Sequence, residues 1–414
     1  MTLVVEAGQL VDVLVGEVLP NRRVVVDGER VTTVLGPDDP APVGAEVLDL
    51  RDCTVLPGLI DLHTHLVGPV EAGDAPGILD RSPAQEALDG VANARATLDA
   101  GVTTVRDVGT FWAFVDIDLR RAIDTGVVEG PRMQCAGAYL TCSGGGGEIT
   151  GVPPGRVVPP QMRVGVADSV DDVRRAAERI IAAGATVLKV IATGAVLAPG
   201  TEPGEAELSE DQIRAAVEVA AAHGMYVAAH AHGAEGAKRA ARAGVRSIEH
   251  GSLLDDEALD LMGEHGTWLV ADVYNGDYIE ETGVRDGWPA ELLRKNRETT
   301  GTQREAFSKA VERGLNIAFG TDAGVYPHGA NARQLPIMVR LGLAPLATLR
   351  AATADAARCM GWDHDVGALE PGRYADLVAV RGFELGDLSV LQDPQLVMKG
   401  GVTVADRRGV APAP

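Results

Sequence analysis

Eight short apolar runs, rich in β-branched residues, punctuate the middle of this 414-residue chain. They begin near Leu59, Thr103, Met133, Thr186, Met225, Val245, Thr267 and Asn316. Helical stretches lie between many of them. Ser169 to Gly184 opens on a Ser-x-x-Asp capping box and closes on glycine, and Ser209 to Gly224 opens on Ser-x-x-Gln and closes the same way. Repeated β-then-α units imply a parallel sheet, and eight of them predict an α/β fold, a closed (β/α)8 TIM barrel. The two chain ends look different. Val24 to Val26, a turn at Asp27-Gly28, and Arg30 to Val34 read as a hairpin, and Tyr374 to Val380 and Leu396 to Val404 read as further strands. The expected organisation is a small β-sandwich domain built from residues 1–57 plus 366–414, with the barrel, residues 58–365, inserted between its halves.

Several segments after the barrel runs are long: Leu66 to Pro83, Thr141 to Asp168, Gly194 to Leu208, Asp272 to Thr300 and Ala323 to Gln334. In a barrel they would gather on the C-terminal face, where active sites sit. Composition narrows the partners. A net charge of −22 disfavours nucleic acid and acidic membrane surfaces. Cys53, Cys135, Cys142 and Cys359 lack paired spacing, which suits reduced thiols in a cytoplasm. No basic leader precedes an apolar stretch, and no apolar run reaches transmembrane length.

Chemistry-bearing residues cluster at the predicted strand ends. The first run closes Asp61-Leu62-His63-Thr64-His65; residues two apart share a strand face, so His63 and His65 point together into the barrel mouth. Lys189 interrupts the apolar fourth run. It either meets a carboxylate or carries a carbamate, an anion whose two oxygens can bridge two cations; beside the histidines the carbamate is the favoured reading. The fifth run closes His230-Ala231-His232, with one histidine for a metal and the other for substrate or a proton. The sixth closes Glu249-His250-Gly251 and the eighth Gly320-Thr321-Asp322. Mixed nitrogen and oxygen donors suit Zn²⁺, with Mn²⁺, Co²⁺ or Fe²⁺ as alternatives. His223 and His265 precede glycines at helix ends and read as structural. His328, after the eighth run, and Tyr274, in a rim segment, are candidate substrate contacts.

In this order the motifs resemble the amidohydrolase superfamily. The tail segment Gly367-Ala368-Leu369-Glu370-Pro371-Gly372 adds to the likeness, which spans nearly the whole chain. The nearest branch is the imidazolonepropionase-like one that includes zinc-dependent Xaa-Pro, Xaa-Arg and Xaa-Lys dipeptidases. The resemblance implies two divalent ions, with His63, His65 and Asp322 on the more buried ion, His230 and His250 on the outer one, and carbamylated Lys189 bridging. It implies that Asp322 handles the proton while a bridging hydroxide attacks the carbonyl. Two positions depart from the branch. Gly146 stands in Ser143-Gly144-Gly145-Gly146-Gly147 where a histidine meets substrate, and His232 stands where tyrosine is usual. His232 is therefore expected to supply the missing polarising contact. The expected activity is hydrolysis of an amide bond in a small peptide or N-acyl amino acid. The alternatives are trimming of a modified peptide natural product, opening of a cyclic amide, or a metal-free scaffold. Homo-oligomers are common in the superfamily, and no residue of this sequence speaks to assembly.

Overall fold

The computed structural model describes residues 2–68 and 75–409. Among them the strands are β1 (Thr2–Asp12), β2 (Glu17–Asp27), β3 (Arg30–Leu35), β4 (Glu46–Pro57), β5 (Leu59–Thr64), β6 (Val102–Asp107), β7 (Arg132–Cys135), β8 (Tyr139–Leu140), β9 (Leu188–Ile191), β10 (Val227–Gly233), β11 (Ser247–Leu253), β12 (Trp268–Ala271), β13 (Ile317–Phe319), β14 (Leu377–Val380), β15 (Leu396–Lys399) and β16 (Val402–Asp406).

Strands from both chain ends share one seven-stranded sheet in the order β16-β15-β14-β4-β1-β2-β3. Its inward residues, among them Val5, Val24, Leu50, Val55, Leu377 and Met398, bury one another in a core separate from that of the barrel. The sandwich is thus a single sheet folded over its own core. A bulge between Ala7 and Gln9 helps it bend. Gly8 sits at that bulge, where a Cβ would lie 2.3 Å from the Arg51 carbonyl oxygen.

The remaining strands are parallel, in the orders β5-β6-β7 and β13-β12-β11-β10-β9-β8. Backbone hydrogen bonds tie these two sheets at both seams. At one, Asp322 N donates to His63 O (2.7 Å) and His65 N to Ala323 O (2.8 Å); at the other, Thr186 N donates to Cys135 O (2.9 Å). With β7 and β8 as two pieces of one interrupted strand, the eight predicted runs become the eight staves of the barrel.

Both singled-out helices form. Val170–Ala183 is capped by Ser169 and ends at Gly184, whose φ of 113° is one that a side chain would resist. Only the forward half of the expected capping box is present there: Ser169 Oγ accepts from Asp172 N, while the Asp172 carboxylate takes the Ser169 hydroxyl rather than its backbone N–H. Glu210–Ala222 carries the complete box with the longer Gln212. The segment from Asp272 to Thr300 is not an open loop, because helix Asn275–Asp286 and the start of helix Ala290–Glu312 fill it. Part of the segment from Leu66 to Pro83 lies outside the described residues. No helix among the described residues is long and apolar enough to cross a membrane.

Candidate metal centre and active site

Strands β5, β9, β10 and β11, with the residues just after β5 and β13, bring His63, His65, Lys189, His230, His232, His250 and Asp322 to one cleft of about 180 Å³. All seven are at least nine-tenths buried. The backbone aims them. His250 and Asp322 hold φ at 67° and 57°, the left-handed region that side chains resist. Such strain persists only where surrounding contacts enforce it, and it gathers at functional sites.

The imidazoles share a pattern. Each has one nitrogen beside an outer partner and the other left for the cleft. His63 Nδ1 lies 2.8 Å from Glu249 Oε2, and His65 Nδ1 lies 2.8 Å from the Gly109 carbonyl. Acceptors at Nδ1 place the hydrogen there and leave a lone pair on Nε2. Those Nε2 atoms then lie 3.4 and 3.2 Å from the same Asp322 Oδ1. Three acceptors facing one another repel unless a proton or a cation stands between them. His230 Nε2 is 3.2 Å from Gly194 O, and His232 Nδ1 is 2.8 Å from Ser252 Oγ. His250 Nδ1 lies 3.1 Å from Asp272 Oδ1, at an angle that makes no hydrogen bond.

Lys189 is unpaired as well. Its Nζ is buried with no hydrogen-bond partner, and burial lowers its pKa to about 8. Burial likewise holds His63, His230 and His232 well below the ordinary imidazole range. His65 is raised, because hydrogen bonding to Asp322 and the charge of that carboxylate outweigh its burial.

Below this layer, Arg106 crosses the barrel interior. Its guanidinium donates to Leu62 O (2.7 Å), Ser247 Oγ (3.2 Å) and Glu249 Oε1 (2.8 Å). Glu249 therefore carries support from Arg106 to His63. On the other side, the Asn275 amide donates to Asp272 Oδ2 and Asp322 Oδ2, both at 2.9 Å.

Two expected substrate contacts do not reach the cleft. His328 uses both ring nitrogens elsewhere, 3.2 Å from Thr97 Oγ1 and 3.0 Å from His65 O. It braces the β5 end. The Tyr274 hydroxyl accepts from Arg333, and its ring packs on Tyr326 at 5.1 Å. Gly146 does line the cleft, with its N–H on Glu207 (3.0 and 2.9 Å).

The family model described as "Amidohydrolase family" matches residues 54–404. The chain belongs to the amidohydrolase family. Its relatives include ochratoxinase of Aspergillus niger, 31% identical over 93% of this chain and 83% of that protein. Imidazolonepropionase of Geobacillus thermodenitrificans is 26% identical over 98% of this chain and 96% of its own. A crystal structure of a Xaa-Pro dipeptidase with methionine bound in its active site is 34% identical, covers 97% of this chain and 99% of its own, and superposes with a TM-score of 0.89. This amidohydrolase is a hydrolase of carbon–nitrogen bonds.

Sequence reasoning passed over several residues of the amidohydrolase site. Asp272 directly follows β12 and lies next to His250, yet ahead of Val273-Tyr274-Asn275 it reads as a turn residue. Burial opposes its ionisation, but the neighbouring His250 more than offsets this and holds its pKa low. Arg106 after the short β-branched run Val102-Thr103-Thr104-Val105 of β6 was the available signal for a buried counter-charge.

Proposed function

We propose that this amidohydrolase is a binuclear metal-dependent enzyme that cleaves an amide bond in a small peptide or N-acyl amino acid. One observation carries the reading: four ring nitrogens and the Asp322 carboxylate converge around a buried lysine with no partner. His63, His65 and Asp322 would hold one ion, His230 and His250 the other, and carbamylated Lys189 both. The donor set fits. A buried unpaired ammonium is costly, whereas its carbamate is an anion with two donor oxygens. Two divalent ions, zinc by donor type, lower the pKa of water and polarise a carbonyl when bound.

The chain supplies positioning and proton transfer. Asp322, its Oδ2 held by Asn275, accepts a proton from the attacking water and returns it to the leaving nitrogen. The methionine in the active site of the Xaa-Pro dipeptidase relative supports an amino-acid-derived substrate. In this reading residues 1–57 plus 366–414 are a supporting domain and 58–365 the catalytic barrel. The four free cysteines suit a cytoplasmic setting.

The test is metal analysis together with a library of dipeptides and N-acyl amino acids, using protein grown with zinc and bicarbonate. About two ions per chain, with cleavage lost in Asp322→Asn, is the expected result. Wild-type protein that takes up no divalent metal would refute the reading.

A second reading concerns substrate charge. Apart from Lys189, no Lys or Arg lines the cleft among the described residues, and every Lys and Arg of the chain is described. Arg163, near the rim, is paired with Glu148. A free substrate carboxylate would find no cationic side chain in the cleft, which favours a cyclic amide or a blocked, modified peptide. Comparing each N-acyl amino acid with its carboxamide decides the point: faster turnover of the acid removes this reading.

A further inference from the structure

We infer that His232 is a third histidine ligand, alongside His230 and His250, for the ion at that end of the cleft. The inference rests on the binuclear reading and changes one of its two sites. The three rings form a nearly equilateral triangle: His230–His232 centroids are 4.6 Å apart, His230–His250 4.5 Å and His232–His250 4.6 Å. One ligand nitrogen from each lies within 4.8 Å of the other two. Small side-chain rotations close such a triangle onto a zinc-sized ion, for which Zn–N is about 2.0–2.1 Å.

The partners of the rings support the assignment. His232 Nδ1 is taken by Ser252 Oγ at 2.8 Å, and its backbone N–H is fixed on Thr193 Oγ1 at 3.0 Å. That leaves Nε2 for the cleft. His63, His65 and His230 have the same one-anchored, one-open arrangement, whereas His328, whose two nitrogens are both engaged, lies outside the cleft. The His232 ring also stacks on His250 with an interplanar angle of 28°, so the two rings sit side by side at the same end of the cleft. A tyrosine at this position would offer one phenolic oxygen and could not rest an Nδ1 on Ser252.

The assignment has a consequence. Three neutral imidazoles suffice for a zinc site with an open position. The ion on His230, His232 and His250 should therefore stay bound when Lys189 cannot be carbamylated, while two histidines alone would release it.

The experiment titrates wild type, His232→Tyr and Ser252→Ala with Co²⁺ against a competing chelator, following the visible Co²⁺ absorption. In His232→Tyr one of the two ions should bind at least about tenfold more weakly, with an altered absorption band, while the other is unchanged. Ser252→Ala should weaken the same ion by about tenfold, the scale for losing an outer partner of a ligand. Wild-type affinities and an unchanged spectrum in His232→Tyr, with turnover lost, would overturn the inference and return His232 to substrate contact. If His232→Tyr fails to fold, Ser252→Ala decides by the same readout. Wild-type protein without metal would instead overturn the binuclear reading itself.

Discussion

The floor and the wall of the cleft are built differently. The floor is a set of buried polar groups each fixed by another: Arg106 holds Glu249, Glu249 holds His63, and Asn275 holds Asp322. The wall is mostly apolar and is held by few polar anchors. Val196, Leu197, Ala198 and Pro199 form one side, steadied by the buried Lys295, which donates to Ala198 O (2.9 Å). Gly146 and Gly147 form another, hung on Glu207. The difference separates two tasks. Chemistry needs groups placed to a fraction of an ångström, and only interlocked partners achieve that. Selectivity needs shape, which apolar side chains and glycines can change without disturbing the floor.

The largest effect that would confirm this division comes from Asp322→Asn. The amide keeps the shape and removes both the carboxylate charge and the proton acceptor. Loss of general acid–base action alone is worth about 10²–10⁴-fold in kcat. A folded Asp322→Asn protein with near-normal turnover would mean that the floor is not where the chemistry occurs.

Next is Arg106→Met, which tests whether the floor also carries stability. It leaves the wholly buried Glu249 without its cation. Removing one partner of a buried pair costs about 3–5 kcal/mol, and the double variant Arg106→Met/Glu249→Gln should regain much of it. Urea unfolding of metal-free protein measures both. A single variant as stable as wild type would show that the floor does not depend on this pair.

Gly146→Ala probes the wall. A Cβ there would lie 3.0 Å from Ala195 N and 3.1 Å from Thr193 O, so the two wall segments must part by a few tenths of an ångström. Overpacking of this kind costs about 1–3 kcal/mol. KM should move more than kcat, because no floor residue shifts. An equal fall in kcat and kcat/KM would erase the distinction between the two regions.

The same division explains what the sequence could reveal. Strand starts and the cleft residues were legible because a buried polar residue within or closing an apolar run, as at His63, Lys189, His250 and Asp322, has few other reasons to be there. Pairings across the barrel were not: Arg106 and Glu249 are 143 positions apart, and no local pattern records their contact. Nor did spacing reveal side-chain direction on the rim. Tyr274 and His328 follow the right strands, yet local contacts turn them to Arg333, Thr97 and the His65 carbonyl.

The smallest predicted effect is the pH response of the wall's anchor. Burial raises the Glu207 carboxyl from 4.5 to about 7, against the lowering effect of the Gly146 N–H. The folded protein then keeps a proton that the unfolded chain has already released. Between about pH 4.5 and pH 7 the folded state binds more protons, so stability falls as pH rises through that window and stays lower above it. Glu207→Gln removes the titration while keeping an oxygen for Gly146. The difference in thermal midpoint, wild type minus variant, should therefore decline from acid to neutral pH. A flat difference would show that Glu207 titrates as freely in the folded protein as in the unfolded chain, and that the wall at Gly146 is anchored by something other than a half-buried carboxyl.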